Sequence, residues 1–157
     1  MRRCHGFTLV ELVLSISILV LLLLVAVPSV NGVLGDRRLR RSLDGFNQLV
    51  AQAQKLSVEE RRPYLLVWEE GRVTLRPEAF AKDEEEKPTA VLSALRGEVY
   101  TLKLPAALSD EPAPEWIFWP AGICEPAIIS FKGSDGVWSA EFAALTGRSS
   151  LVIYEPR

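Results

Sequence analysis

Glu11 is the residue whose position most needs a chemical explanation. It is the only charged side chain between Phe7 and Val27, in a run dominated by Leu, Val and Ile. Placing a carboxylate near the middle of a bilayer helix costs a few kcal/mol, so such residues are rare and have a partner or a task. Other reactive side chains are scarce. His5 is the single histidine, and the two cysteines, Cys4 and Cys124, lie far apart in sequence. There is no Gly-x-Ser-x-Gly and no Ser-x-x-Lys, the arrangements that would place a serine nucleophile. A carboxylate pair remains formally available for acid-base work, but nothing in the sequence brings two together. The chain does not read as an enzyme.

The residues around Glu11 define its task. A short basic leader, Met1-Arg2-Arg3, precedes Gly6-Phe7-Thr8-Leu9-Val10-Glu11. This stretch resembles the class III signal of the type IV pilin and pseudopilin superfamily, Gly-Phe-Thr-Leu-x-Glu, with every fixed position filled. The resemblance implies that a membrane-embedded aspartyl prepilin peptidase cuts after Gly6 at the cytoplasmic face and N-methylates Phe7. The apolar segment then stays on the mature protein. In an ordinary secretory signal the apolar region precedes a small-residue cut such as Ala-x-Ala, and no such site ends this segment. Cutting after Gly6 removes His5 and Cys4, which leaves no imidazole and no intrachain partner for Cys124. Histidine catalysis, His-ligated metals and a disulfide framework are excluded on that basis, and no cofactor is expected.

A cut after Gly6 also creates an α-amine on Phe7, four residues before Glu11. A cation and an anion then both sit in apolar surroundings, and each needs neutralising. Within one helix the two interact weakly. Between staggered subunits the amine of one chain can meet the carboxylate of the next and fix the axial register. The alternative is a Glu11 that snorkels to water at the cytoplasmic interface.

These groups must be carried on a helix. The 21 residues from Phe7 to Val27 span ~30 Å at ~1.5 Å per residue, one bilayer core. Counting charge gives no clear orientation, because Arg2 and Arg3 face Arg37, Arg38, Arg40 and Arg41 across the segment. The processing motif decides it: a single pass through the inner membrane, the N-terminus cytoplasmic and the C-terminal domain periplasmic. Pro28, with Gly32 and Gly35, predicts a soft or kinked stretch. Beyond it Leu39, Leu43, Phe46, Leu49, Val50, Ala53 and Leu56 recur at three- and four-residue spacing, an amphipathic helix to about Val58. The arginine cluster that begins this helix reads either as a solvated face touching lipid headgroups or as a docking surface for acidic neighbours.

From Pro63 the period changes to that of strands. Residues 63–70 and 72–77 read as a hairpin turned at Glu70-Gly71, with Leu66, Trp68, Val73 and Leu75 inward. Further strands are predicted at 99–104, 115–119, 127–132, 137–142 and 150–154, about seven in all, with turns at Gly133-Ser134-Asp135-Gly136 and Thr146-Gly147. Lys82 to Pro88 is a charged loop without the spacing of a calcium site. All four tryptophans fall in the strand region. Trp116, Phe118 and Trp119 cannot share one face, so most of the tryptophans are expected in the core and at least one at an interface.

The expected class is therefore α+β, a long N-terminal membrane-spanning helix packed on a C-terminal antiparallel β-sheet domain. Its divisions are a leader at 1–6, a transmembrane helix at 7–27, an amphipathic continuation at 28–58 and a periplasmic β-rich domain at 63–157. After Arg41 the chain carries 12 Lys and Arg against 18 Asp and Glu, net −6, so no nucleic-acid partner is expected.

The distal half narrows the resemblance. Trp116-Ile117-Phe118-Trp119-Pro120-Ala121-Gly122, the strand at Ile128 to Phe131, and Ala144-Leu145-Thr146-Gly147-Arg148 are similar to the C-terminal pattern of H-type (GspH-like) minor pseudopilins of type II secretion and of FimT and FimU minor pilins. The resemblance implies a low-abundance subunit near the tip of a periplasmic filament, which helps start assembly and supports protein export. Its implied partners are the prepilin peptidase, the other minor pseudopilins and the major pseudopilin, the secreted cargo or outer-membrane secretin, and membrane lipid. The alternative is a minor pilin of a type IV pilus, serving adhesion, motility or DNA uptake.

Overall fold

The computed structural model describes residues 8–82, 84–106 and 114–157, and the side chains of residues 24–33 lie outside that description. One helix, α1 (Leu9–Glu59), is followed by β1 (Tyr64–Glu69), β2 (Arg72–Pro77), β3 (Ala90–Ser93), β4 (Val99–Lys103), β5 (Glu115–Phe118), β6 (Ala127–Gly133), β7 (Gly136–Phe142) and β8 (Ser149–Pro156). The expected α+β class, a long N-terminal helix packed on antiparallel sheets, is the one the chain adopts.

The 51 residues of α1 form one uninterrupted element. The helical assignment runs through Pro28, Gly32 and Gly35, where the sequence predicts a soft stretch. The apolar stripe explains how the second half is held. Leu39, Phe46, Leu49, Val50 and Ala53 are buried, with Leu43 and Leu56 partly so. The helix ends where Glu60 donates its backbone N–H to the Leu56 carbonyl at 2.9 Å. Arg61 then turns left-handed, at φ 53°, and Pro63 cannot continue the helix.

The eight strands form two four-stranded sheets, ordered β3-β2-β1-β5 and β4-β6-β7-β8. All of their pairings are antiparallel. The β1–β2 hairpin closes with Glu69 opposite Arg72, and Gly71 supplies the positive φ of 71° at its turn. Leu66 lies opposite both Leu75 and Trp116, and these three side chains are completely buried. One feature departs from the sequence reading: Ala90–Ser93 is an eighth strand, on the edge of the first sheet.

Phe46 of α1 joins the sheets. Its ring lies 6.2 Å from Trp68 of β1, 5.6 Å from Tyr100 of β4, and 6.1 and 5.7 Å from Trp138 and Phe142 of β7 (centroid distances). The tryptophans divide by the pleat of their strands. Trp116 and Trp138 are in the core, Trp68 is half-buried, and Trp119, just past β5, is 41% exposed.

Candidate functional site

At the start of α1 the backbone needs a cap, because the first N–H groups of a helix have no partner within it. Thr8 supplies one. Its extended backbone, φ −79° and ψ 147°, marks the N-cap, and its hydroxyl accepts the Glu11 N–H at 3.2 Å. Thr8-x-x-Glu11 therefore has the spacing of a capping box. Glu11 stands in the first turn, where the positive end of the helix dipole favours an anion. Gly6 and Phe7, the predicted cut and methylation positions, lie outside the described residues, as do His5 and Cys4.

Glu11 is exposed, and so are the apolar residues that follow it as far as Leu23. Ser15 and Ser17 satisfy their own hydroxyls by donating to the Glu11 and Val13 carbonyls, each at 2.8 Å. The described surface of this segment is thus hydrocarbon with one carboxylate. Helices apolar on every side are buried in lipid or against other chains. Among the described residues, no helix is long and apolar enough to cross a membrane. The apolar run read from the sequence continues to Val27, past the last side chain described before the interval at 24–33.

The arginine cluster lies where α1 first meets the sheets. Arg37, Arg38, Arg40 and Arg41 are all exposed around buried Leu39. The Tyr154 hydroxyl donates to Asp36 Oδ1 at 2.7 Å, Arg40 Nε donates to Asp36 Oδ2 at 3.0 Å, and the Arg40 guanidinium sits 5.7 Å from the Tyr154 ring centroid. The Tyr154 hydrogen bond, then Arg40, holds the Asp36 carboxyl below its usual range. Burial, then the bond to Asp36, raises Tyr154. This clamp ties the last strand to the helix. The sequence offered no signal for it, because the partners are 118 residues apart.

At the other end of the domain, the acidic loop expected to be solvated is anchored through one member. Arg62 grips Glu84 with both terminal nitrogens, Nη2 to Oε1 at 2.7 Å. Arg62 also reaches Glu60 at 2.6 Å. Among the described residues no cluster of His, Cys, Asp or Glu could hold a metal. Cys124 is buried with its thiol raised to about 11, mainly by burial. The thiolate is the reactive form of cysteine, so this one is inert. A concavity of about 460 Å³ is lined by Pro105, Ile128, Glu141, Arg148 and Ser150.

Residues 1–27 match the prokaryotic N-terminal methylation motif. No curated protein sequence matches the chain. Among solved structures it is similar to the minor pseudopilin EpsH from the type 2 secretion system of Vibrio cholerae, at 17% identity and TM-score 0.51, over 72% of this chain and 94% of that one. It is equally similar to the type IV minor pilin FimU of Pseudomonas aeruginosa, at 15% identity and TM-score 0.51, over 74% of this chain and 90% of that one. The two findings are independent: the N-terminal segment carries a methylation motif, and the chain shares its fold with a minor pseudopilin and a minor pilin.

Proposed function

We propose that this chain is a minor pseudopilin of a type II secretion system, a subunit of a periplasmic filament whose work is assembly and recognition without catalysis. The prepilin peptidase cuts after Gly6 and methylates Phe7, and the apolar helix holds the chain in the inner membrane with its C-terminal domain in the periplasm. Other minor pseudopilins and the major pseudopilin pack along that helix, and the domain meets secreted cargo or the outer-membrane secretin. The observation that carries the reading is Glu11, the single carboxylate in the otherwise uncharged, exposed first segment of α1, set four residues beyond the predicted new amine. Burying that charge in a filament demands an opposite one, and the amine of a neighbouring Phe7 supplies it.

A minor pilin of a type IV pilus is the second reading, favoured by the equal likeness to FimU. Deleting the gene in its host and measuring both release of extracellular enzymes and surface motility separates the two. The secretion reading expects lost release with motility intact, restored by the gene supplied in trans. Lost motility with normal release overturns it in favour of the pilus.

A further inference from the structure

We propose that Arg37, Arg38, Arg40 and Arg41 form a collar that binds the phosphates of anionic lipid headgroups and seats the folded domain on the membrane surface. The inference rests on the membrane reading of α1 given above. From Leu12 to Gly35 the chain has no charged residue, and the collar follows at once. If residues 7–27 fill the hydrocarbon core, Arg37 begins ~15 Å farther along the axis. The headgroup layer takes ~5–7 Å of that distance. The remaining ~8–10 Å is about one Debye length at physiological ionic strength, and the flexible arginine stems shorten it further.

The local geometry leaves the collar free to act. Leu39 faces the core while the four arginines are exposed around it, Arg38 and Arg40 flanking the packed face near Asp135 and Tyr154. Arg40 is paired with Asp36, and Arg38 reaches Asp135 only at 3.7 Å. Such exposed pairs are weak. Arg37 and Arg41 have no carboxylate partner among the described residues, and they stand one turn apart as like charges, a repulsive arrangement that a bound anion relieves. Every cation of the collar is arginine, whose planar fork suits phosphate oxygens better than a lysine does. The chain beyond Arg41 carries net charge −6 and would be repelled by an anionic surface. The collar is thus the part of the domain fitted to that surface, and it lies at the matching height.

The full chain, reconstituted in bilayers of phosphatidylcholine with three-tenths phosphatidylglycerol and then extracted in mild detergent, would be assayed for co-purifying lipid. Wild type should retain phosphatidylglycerol about fivefold above its bulk ratio, the effect of roughly one well-placed arginine after screening. The Arg37→Gln/Arg41→Gln variant, which keeps Arg2, Arg3 and the carboxylate-paired Arg38 and Arg40, should fall most of the way toward the bulk ratio, as should wild type in high salt. Resistance of both proteins to carbonate extraction reports separately on the membrane helix, so loss of that resistance marks failure of the underlying reading and overturns the collar with it. A bulk ratio in carbonate-resistant wild type overturns the collar alone. Undiminished enrichment in the variant does the same, and if that variant also loses crosslinks to neighbouring subunits, the arginines dock an acidic protein surface instead.

Discussion

Gln54 of α1 donates its side-chain amide to the carbonyl of Gly122 at 2.6 Å, across 68 residues of sequence. A Cβ on Gly147 would lie 2.9 Å from the other end of the same amide, Gln54 Oε1. The Pro120-Ala121-Gly122 turn and the Leu145-Thr146-Gly147 turn, unrelated along the chain, therefore meet at one helix side chain. Cys124 N–H to the Ala144 carbonyl, at 2.8 Å, ties the two turns to each other. The turn glycine has a further reason to be glycine, since its φ is +58°.

Gln54→Ala should cost about 1–2 kcal/mol by leaving the Gly122 carbonyl without its donor. Gly147→Ala should cost a similar ~1–2 kcal/mol in backbone strain and also push Gln54 off that carbonyl. Because both changes break one contact, the double variant should lose less than the sum. Thermal unfolding of the four proteins in detergent checks this, and strict additivity would show that the turns are not coupled through Gln54.

What the sequence revealed and what it hid divide along local and non-local lines. The stripe from Leu39 to Leu56 was legible because helical periodicity is local, and so was the hairpin at Gly71. β3 was missed because it is a four-residue edge strand of Ala90-Val91-Leu92-Ser93, half-exposed and entered from a charged loop. The partition into two sheets was hidden for a different reason: β1 pairs with β5 and β4 with β6, pairings that no short-range pattern encodes. At the site, Gly6, Phe7 and Glu11 were singled out through the resemblance of the leader to a prepilin signal, and of the three only Glu11 lies among the described residues. The Tyr154–Asp36 clamp and the Arg62–Glu84 grip could not be read, since each depends on residues brought together only by the fold.

Phe46 should be the most costly single truncation in the domain. Its ring is wholly buried and touches aromatic side chains of both sheets. Phe46→Ala removes that wedge and leaves a cavity between the sheets, a change worth about 3–5 kcal/mol. Chemical denaturation should show the loss, whereas Gln48→Ala on the exposed side of the helix should stay within ~0.5 kcal/mol of wild type. Equal stability of the two variants would mean that the sheets do not depend on the helix for their packing.

The loop grip gives a pH signature. Arg62, with help from the Ala81 N–H, lowers the Glu84 carboxyl from 4.5 to about 2. A carboxyl held below its unfolded value adds stability above that value and loses it as pH falls through the folded one. The loop should therefore stay seated at neutral pH and release between about pH 4.5 and 2. The energy is small, because the pair is largely open to solvent. Protection of the Ala81 amide, whose N–H bonds Glu84 at 3.0 Å, should fall across that window in wild type when its exchange is taken relative to the unstructured rate at each pH. In Glu84→Gln protection should be low at every pH, and a wild-type protection that does not change with pH would remove the grip from the account.

Processing and assembly should separate at the leader. On the proposed function, a bulky residue at position 6 leaves the peptidase no room at the scissile bond, so Gly6→Leu should retain the leader, which intact mass reports directly. On the same proposal Glu11 acts at a later step. Glu11→Gln keeps the shape and the Thr8 hydroxyl still caps the helix, so the chain should fold, insert and be cut normally. What it lacks is the anion for the amine of a neighbouring Phe7. Leaving one buried charge without its partner costs about 3–5 kcal/mol in a dry interior, and partial access to water or headgroups reduces that. Crosslinking to the other filament subunits should still fall by roughly tenfold or more, about 1.4 kcal/mol at the least, with export falling alongside it. Glu11→Asp, which keeps the charge on a shorter stem, should recover part of both. If Glu11→Gln crosslinks and exports at the wild-type level while cut normally, the carboxylate is not what registers the subunit, and the apolar helix packs into the filament without it.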